Sequence, residues 1–332
     1  MSKSQMFVVP LDFSPEMEST VSGALALAKH CGAEVHLIEV VAPRPPSRLD
    51  EKRTHRDRRP VVTTSDWSRL EKMVLTAERG RIPLRAFAYR GDPTEVIRAY
   101  LLLVKSTLLV IGQHYGTSGW RRSASFVGTL SRAAPVPVLI LPPGYHSRTT
   151  SSMFRHIVSA VDFSIASAVT VRTVVDLSRR SGARLTLVHA LNGPQIALSG
   201  GEAVKVRRNV RAEAAQVGAR LRKKVPADVR IRVDEHVTTS DPHRAILGVA
   251  SEVDADLIVM GVAPRSRFDE MLAGSTLRNV LRRTKIPVLV LPVPAGASKW
   301  LDHSDGVEIA LTQKHAGRRD VDVGRHHRKG TD

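Results

Sequence analysis

The sequence predicts two tandem α/β units, each a doubly wound parallel sheet with helices on both faces, and three observations predict it. Short apolar runs alternate with longer segments of helical period. That alternation is written twice, about 150 residues apart. Both copies close on nearly the same strand, Pro137-Val138-Leu139-Ile140-Leu141-Pro142 in the first and Pro287-Val288-Leu289-Val290-Leu291-Pro292 in the second. Between these landmarks, Asp12-Phe13-Ser14 recurs as Asp162-Phe163-Ser164, and Asp92-Pro93 recurs as Asp241-Pro242. Val21, Leu25 and Gly32 recur as Val171, Val175 and Gly182. Order and spacing both hold, so the chain carries a duplicated domain.

Taken in order, Phe7 to Leu11 reads as a buried strand. Ser14 is placed to cap the helix that follows, with Pro15 at its first position, where the missing N–H costs nothing. Met17, Val21, Leu25 and Ala28 share one face of that helix, and Gly32 stops it. Val35 to Val41 is the second strand. A helix from about Trp67 to Arg79 precedes the third, Leu84 to Tyr89, and another helix opens near Pro93. The fourth strand, Leu108 to Ile111, runs into the Gly-rich loop Gly112 to Gly119. A helix around Phe126 to Ala133 leads to the last strand, Val136 to Leu141. The second copy repeats this with strands at 156–161, 184–190, 229–235, 257–260 and 287–291. Its helices fall near 165–181, 202–224, 242–252 and 269–283, the longest carrying an apolar stripe through Val206, Val210, Ala214, Val217 and Leu221. The expected domains are 1–146 and 152–294. Residues 295–332 have no apolar periodicity and read as a flexible tail; the short run Val307 to Leu311 within it could add a strand.

At 332 residues the chain suits two domains of ordinary size. The longest apolar runs fall short of a membrane span, and Met1 to Met6 lack the apolar middle of a secretory signal. A lone cysteine, Cys31, excludes an internal disulfide and fits the cytosol, and without clustered Cys and His no metal site is expected. The His326-His327 pair in the tail reads as solvated. The formal charge of +18 concentrates in Arg44 to Arg59 and Lys205 to Lys224. Such runs attract polyanions, but they equally form solvated faces. With 4% aromatic residues there are few platforms for stacking bases, so a specific nucleic-acid partner is not expected.

In an open parallel sheet, ligands sit beyond the carboxyl ends of the strands, where the strand order reverses. Two features per copy fall there. The first strand ends in an acid, Asp12 or Asp162. The fourth ends in glycine, Gly112 or Gly261, followed by a loop and a glycine–hydroxyl pair, Gly128-Thr129 or Gly274-Ser275, at a helix start. Free N–H groups and the helix dipole favour an anion at such a start, and glycine lets the backbone approach it. Competing motifs are missing: no phosphate loop of the G-x-x-x-x-G-K-[ST] type, no G-x-G-x-x-G after the first strand, and no G-x-S-x-G elbow. His36, His114 and His189 are isolated, and His189 reads as a packed or pocket-wall residue. No catalytic constellation stands out.

Asp-Phe-Ser after the first strand, the Gly-rich loop after the fourth, and Ile286-Pro287-Val288-Leu289-Val290-Leu291-Pro292 together resemble the universal stress protein family. The clearest piece runs from Ala255 to Gly261 and on through Gly274-Ser275-Thr276-Leu277. The resemblance covers roughly residues 3 to 143 and 152 to 293. It implies a Rossmann-like, adenine nucleotide alpha hydrolase-type sheet in the order 3-2-1-4-5, tandem domains pairing as two protomers do, and a role in stress adaptation. It also implies ATP or another adenine nucleotide as ligand, with Mg only alongside ATP, and at most slow hydrolysis. Asp12 and Asp162 match the family acid near adenosine, and Thr129, Ser275 and Thr276 match its phosphate contacts. Nucleotide-binding members carry G-x2-G-x9-G-[S/T], and both copies depart from it. Gly261, Gly274 and Ser275 keep the spacing, but Pro264 stands at the middle glycine and has no N–H to give a phosphate. In the first copy Gly112 and Gly128 are three residues further apart, Tyr115 takes the middle position, and Gly116 and Gly119 lie nearby. Arg121, Arg122, Arg265 and Arg267 are cations within reach of the same loops. The rival readings are a domain pair that binds no nucleotide and acts through dimerisation or protein partners, and a basic nucleic-acid-associated protein, which rests on charge alone.

Overall fold

A computed structural model of the chain describes residues 5–41, 64–115, 126–145, 153–162, 165–190, 219, 231–236, 241–262 and 273–292. The first half runs β1 (Met6–Leu11), α1 (Met17–Cys31), β2 (Glu34–Val41), α2 (Thr64–Arg79), β3 (Leu84–Arg90), α3 (Pro93–Leu103), β4 (Leu108–Gly112), α4 (Phe126–Ala133) and β5 (Val138–Leu141). The second half runs β6 (His156–Ala160), α5 (Ile165–Ser181), β7 (Arg184–Ala190), β8 (Ile231–His236), α6 (Pro242–Glu252), β9 (Leu257–Val262), α7 (Ala273–Arg283) and β10 (Val288–Pro292). Of the helix expected over 202–224, only position 219 is described, and it is helical. The basic run 44–59 and the tail lie outside the described residues.

The strands form one ten-stranded sheet in the order β3-β2-β1-β4-β5-β10-β9-β6-β7-β8. Each half contributes five parallel strands, and the halves meet antiparallel at β5 and β10, with Val138↔Val290, Leu139↔Leu289 and Ile140↔Val288 in register. Each half therefore has the doubly wound order expected, and the two sheets are continuous across the seam. Strands buried on both faces read as unbroken apolar runs, which is why alternation was absent from Phe7 to Leu11 and Leu108 to Ile111. Phe7, Val9 and Leu11 face a layer containing α1, α2 and α5, while Val8, Leu109, Ile111 and Val290 face α3, α4, α6 and α7. Both apolar layers run through both halves.

Local chemistry explains the ends. Gly32 caps α1 at φ 65° and ψ 34°, and Gly182 repeats this at φ 69° after α5. In that left-handed region glycine carries no Cβ penalty. Asp92 caps α3 by accepting from Glu95 N–H at 3.1 Å, with Pro93 at the first position. Asp256 ties the start of β6 by accepting from Arg155 N–H at 2.8 Å and His156 N–H at 3.1 Å. The expected start of α1 is corrected: Ser14 and Pro15 belong to a turn, in which Ser14 C=O accepts from Met17 N–H at 3.2 Å, and the helix begins at Met17. The reason is the backbone at Phe13, whose φ of 53° turns the chain before it can enter the helix. Cys31 is buried and its thiol is pushed up to about 12, so it is not a reactive thiolate. No helix among the described residues is long and apolar enough to cross a membrane.

His243, the second residue of α6, is 4% exposed, and its Nε2 has no hydrogen-bond partner among the described residues. Burial, and then the Arg283 guanidinium, holds the imidazole below its ordinary range, with Asp241 opposing and Arg244 assisting. A depressed histidine contributes stability that is present above about pH 6.5, the unfolded value, and is lost as pH falls through the folded one. Unfolding free energy measured between pH 7.5 and 5 is expected to decline in the wild type and to decline less in His243→Phe. Parallel profiles would show that His243 is already solvated.

Candidate functional site

The strand order reverses between β1 and β4, which are parallel neighbours, with Phe7↔Leu108 and Val8↔Leu109 in register. Asp12 follows β1 directly. Its Oδ1 accepts from Ser14 N–H at 3.1 Å, so the carboxylate braces the turn that holds it. Gly112 is the last residue of β4, and a Cβ there would stand 2.7 Å from Thr20 Oγ1 on α1. Glycine is needed at that point because helix and strand approach so closely. Gly112→Ala is expected to cost about 1–2 kcal/mol of unfolding free energy by overpacking. Adding Thr20→Ala should recover most of it in chemical denaturation; additive losses would refute the clash.

Asp12, Ser14, Thr20, Gly112, His114 and Tyr115 line one crevice beyond the ends of β1 and β4. Its volume is about 10 Å³, room for a single water rather than a nucleoside. Tyr115 is one of its lining residues. It is 4% exposed, its N–H donates to Gly112 C=O at 3.0 Å, and its ring meets Phe126, the first residue of α4, with centroids 5.5 Å apart. At the place where the family pattern has a glycine, this chain carries a buried ring packed into the α3–α4 layer. Gly116 and Gly119 lie outside the described residues. Gly128 and Thr129 are half-buried in the first turn of α4. Among the described residues a Cβ on Gly128 would meet only the Arg132 guanidinium, at 3.7 Å. Packing against the described residues therefore does not call for glycine there, although glycine weakens the helix by about 1 kcal/mol relative to alanine.

In the second half β6 and β9 are likewise parallel neighbours, with Ser159↔Val259 in register. Asp162 follows β6 and is exposed, and its backbone N–H donates to Ser167 Oγ at 3.1 Å. Gly261 lies in β9, and Gly274, Ser275 and Thr276 occupy the first turn of α7, with Thr276 half-buried. His189, within β7, donates from Nδ1 to Val161 C=O at 2.7 Å, just past the end of β6. Pro264, Arg265 and Arg267 lie outside the described residues, as do Arg121 and Arg122. No group of three or more His, Cys, Asp or Glu positioned for a metal occurs among the described residues.

Sequence reasoning missed four residues near the reversal points. Thr20 is a buried hydroxyl on the apolar face of α1, and Thr170, 0% exposed, repeats it in the second copy. That recurrence was the available signal. Arg69 of α2 donates from Nη1 to Phe13 C=O at 2.9 Å, from Nη2 to Ser14 C=O at 2.6 Å and from Nε to Glu18 Oε1 at 3.1 Å, clamping the β1–α1 turn. Nothing in its local sequence marks it. Gln113, next to Gly112, donates its backbone N–H to Leu141 C=O at 2.8 Å and its side-chain amide to Leu281 C=O across the seam.

Two doubly wound sheets, each with an acid and a glycine at its reversal point and a glycine–hydroxyl helix start after it, define a tandem of Rossmann-like domains. The universal stress protein family profile matches residues 4–142 and 153–292, nearly all of both halves. The chain belongs to the universal stress protein family. Universal stress protein MJ0577 of Methanocaldococcus jannaschii is 33% identical over 69 residues, which is 21% of this chain and 43% of that protein. Against this relative the chain thus aligns over less than half its length. Universal stress protein MJ0531 of the same organism is 22% identical over 148 residues, 44% of this chain and 87% of that protein. Among solved structures, a universal stress protein from Archaeoglobus fulgidus aligns with 87% of this chain and 97% of its own, at 20% identity and a TM-score of 0.54, and shares the fold.

Proposed function

We propose that the second half holds an adenine nucleotide, ATP before others, in the crevice between β6 and β9, as a regulatory ligand of a stress-adaptation protein in the cytosol. What supports this reading is that the exposed acid Asp162 follows β6, and that β9, its direct parallel neighbour, leads on to α7 with Gly274-Ser275-Thr276 in its first turn. The acid suits a ribose hydroxyl, and the helix start suits phosphate oxygens. Mg would accompany a triphosphate. No general base stands beside the helix start among the described residues, so any hydrolysis would be slow.

The first half supports a second reading. With only about 10 Å³ in its crevice, that half serves the pairing of the two domains rather than a nucleotide. Titration calorimetry with ATP on the full chain tests both readings. One site per chain is expected, weakened roughly tenfold or more by Asp162→Ala and by Ser275→Ala with Thr276→Ala. No heat at high-micromolar ATP would remove nucleotide binding, and two sites per chain would return the first half to the ligand.

A further inference from the structure

A groove of about 670 Å³ opens where the halves meet and shares no lining residue with the β1–β4 crevice. The first half supplies one wall, Pro142 to Tyr145, beyond the end of β5. That wall is fixed on α1: Gly144 N–H donates to Ser19 Oγ at 3.3 Å, and a Cβ on Gly23 would stand 2.8 Å from Tyr145 Cδ1. The second half supplies an apolar base from Met153, Phe154, Leu247, Ala250 and Ile286. A volume of this size suits a small organic ligand.

The charges around it are not balanced. Asp256 is committed to the backbone N–H groups of Arg155 and His156, and Arg155 Nε lies 3.6 Å from its Oδ2. Asp254 faces Arg155 Nη2 at 3.9 Å. Arg283 donates only to the neutral Asn279 Oδ1, at 3.3 Å, and Lys285 has no carboxylate within ion-pairing distance among the described residues. Asp256 is thus used internally and Asp254 lies in solvent beside Arg155, while two further exposed cations, Arg283 and Lys285, remain on the other wall. The repeat shows that this is not a generic feature of the domain. With Pro137 matched to Pro287, Ala133 and Pro135 stand where Arg283 and Lys285 stand.

We infer that this groove between the halves binds a small amphipathic anion, its carboxylate or sulfonate against Arg283 and Lys285 and its apolar body against Tyr145, Met153 and Ile286. The experiment is fluorescence titration of the full chain with anilinonaphthalene sulfonate, located by hydrogen exchange and competed with decanoate. One saturable site is expected, with protection of 142–145 and 283–287 and displacement by decanoate. Arg283→Glu with Lys285→Glu should weaken the dye roughly tenfold or more, while the melting temperature holds because both side chains are exposed. Ser251→Trp, which fills the exposed rim, should weaken it as well and keeps the test open if charge reversal disturbs folding. Unchanged affinity in these variants, protection elsewhere, or displacement by inorganic sulfate as effective as by decanoate would overturn the assignment.

Discussion

Leu139→Ala is expected to lower the unfolding free energy by about 2–5 kcal/mol, and Leu289→Ala by a similar amount. Both side chains are fully buried, and they face each other across the β5–β10 seam in the same apolar layer. Each truncation removes apolar area from water and leaves a void that the sheet cannot close, because β4 and β9 flank the pair. The double variant carries the decisive information. Two cavities that merge share their lining, so the combined loss should differ from the sum by about 0.5 kcal/mol or more. Strict additivity, or two separate unfolding transitions in the wild type, would mean that the halves keep independent cores.

The seam also shows what a sequence read in one dimension can carry. Alternating apolar runs and helical stripes place most of the strands within a residue or two, because burial on both faces leaves no ambiguity in Phe7 to Leu11 or Val288 to Leu291. The repeat then places the reversal point, and with it Asp12, Gly112, Asp162 and Gly261. What stayed hidden depends on contacts between distant segments. Gly112 looks like a turn glycine, and only Thr20 approaching from α1 shows that it is a packing glycine. Tyr115 reads as a substituted loop residue until its ring is seen buried against Phe126 at the start of α4. The start of α1 was misplaced because Ser-Pro is a strong helix-opening signal, and a positive φ at the preceding phenylalanine has no signature of its own. Departures gather at the carboxyl ends of the strands, where local preference and overall fold are least bound to agree.

Arg69→Met is expected to lower the unfolding free energy by about 2–3 kcal/mol, a large effect for a partly exposed side chain. The guanidinium joins three acceptors that cannot otherwise meet: the carbonyls of Phe13 and Ser14, at the turn with the left-handed phenylalanine, and the Glu18 carboxylate in the first turn of α1. Methionine keeps the apolar stem and removes all three bonds, leaving the two carbonyls to find water at the base of the crevice. Lysine should restore only part, since one ammonium cannot span this fork. Acid titration gives an independent check. Hydrogen bonds from Arg69 and then Lys72 hold the Glu18 carboxyl below its ordinary 4.5. A depressed carboxylate adds stability that is present above its unfolded value and lost as pH falls through the folded one. Below about pH 4.5 the Arg69→Met protein should therefore lose stability less steeply than the wild type. The clamp belongs to the first half, so ATP affinity at the β6–β9 crevice is expected to survive the substitution. Loss of that affinity in a folded Arg69→Met protein would place the nucleotide in the first half, against Tyr115.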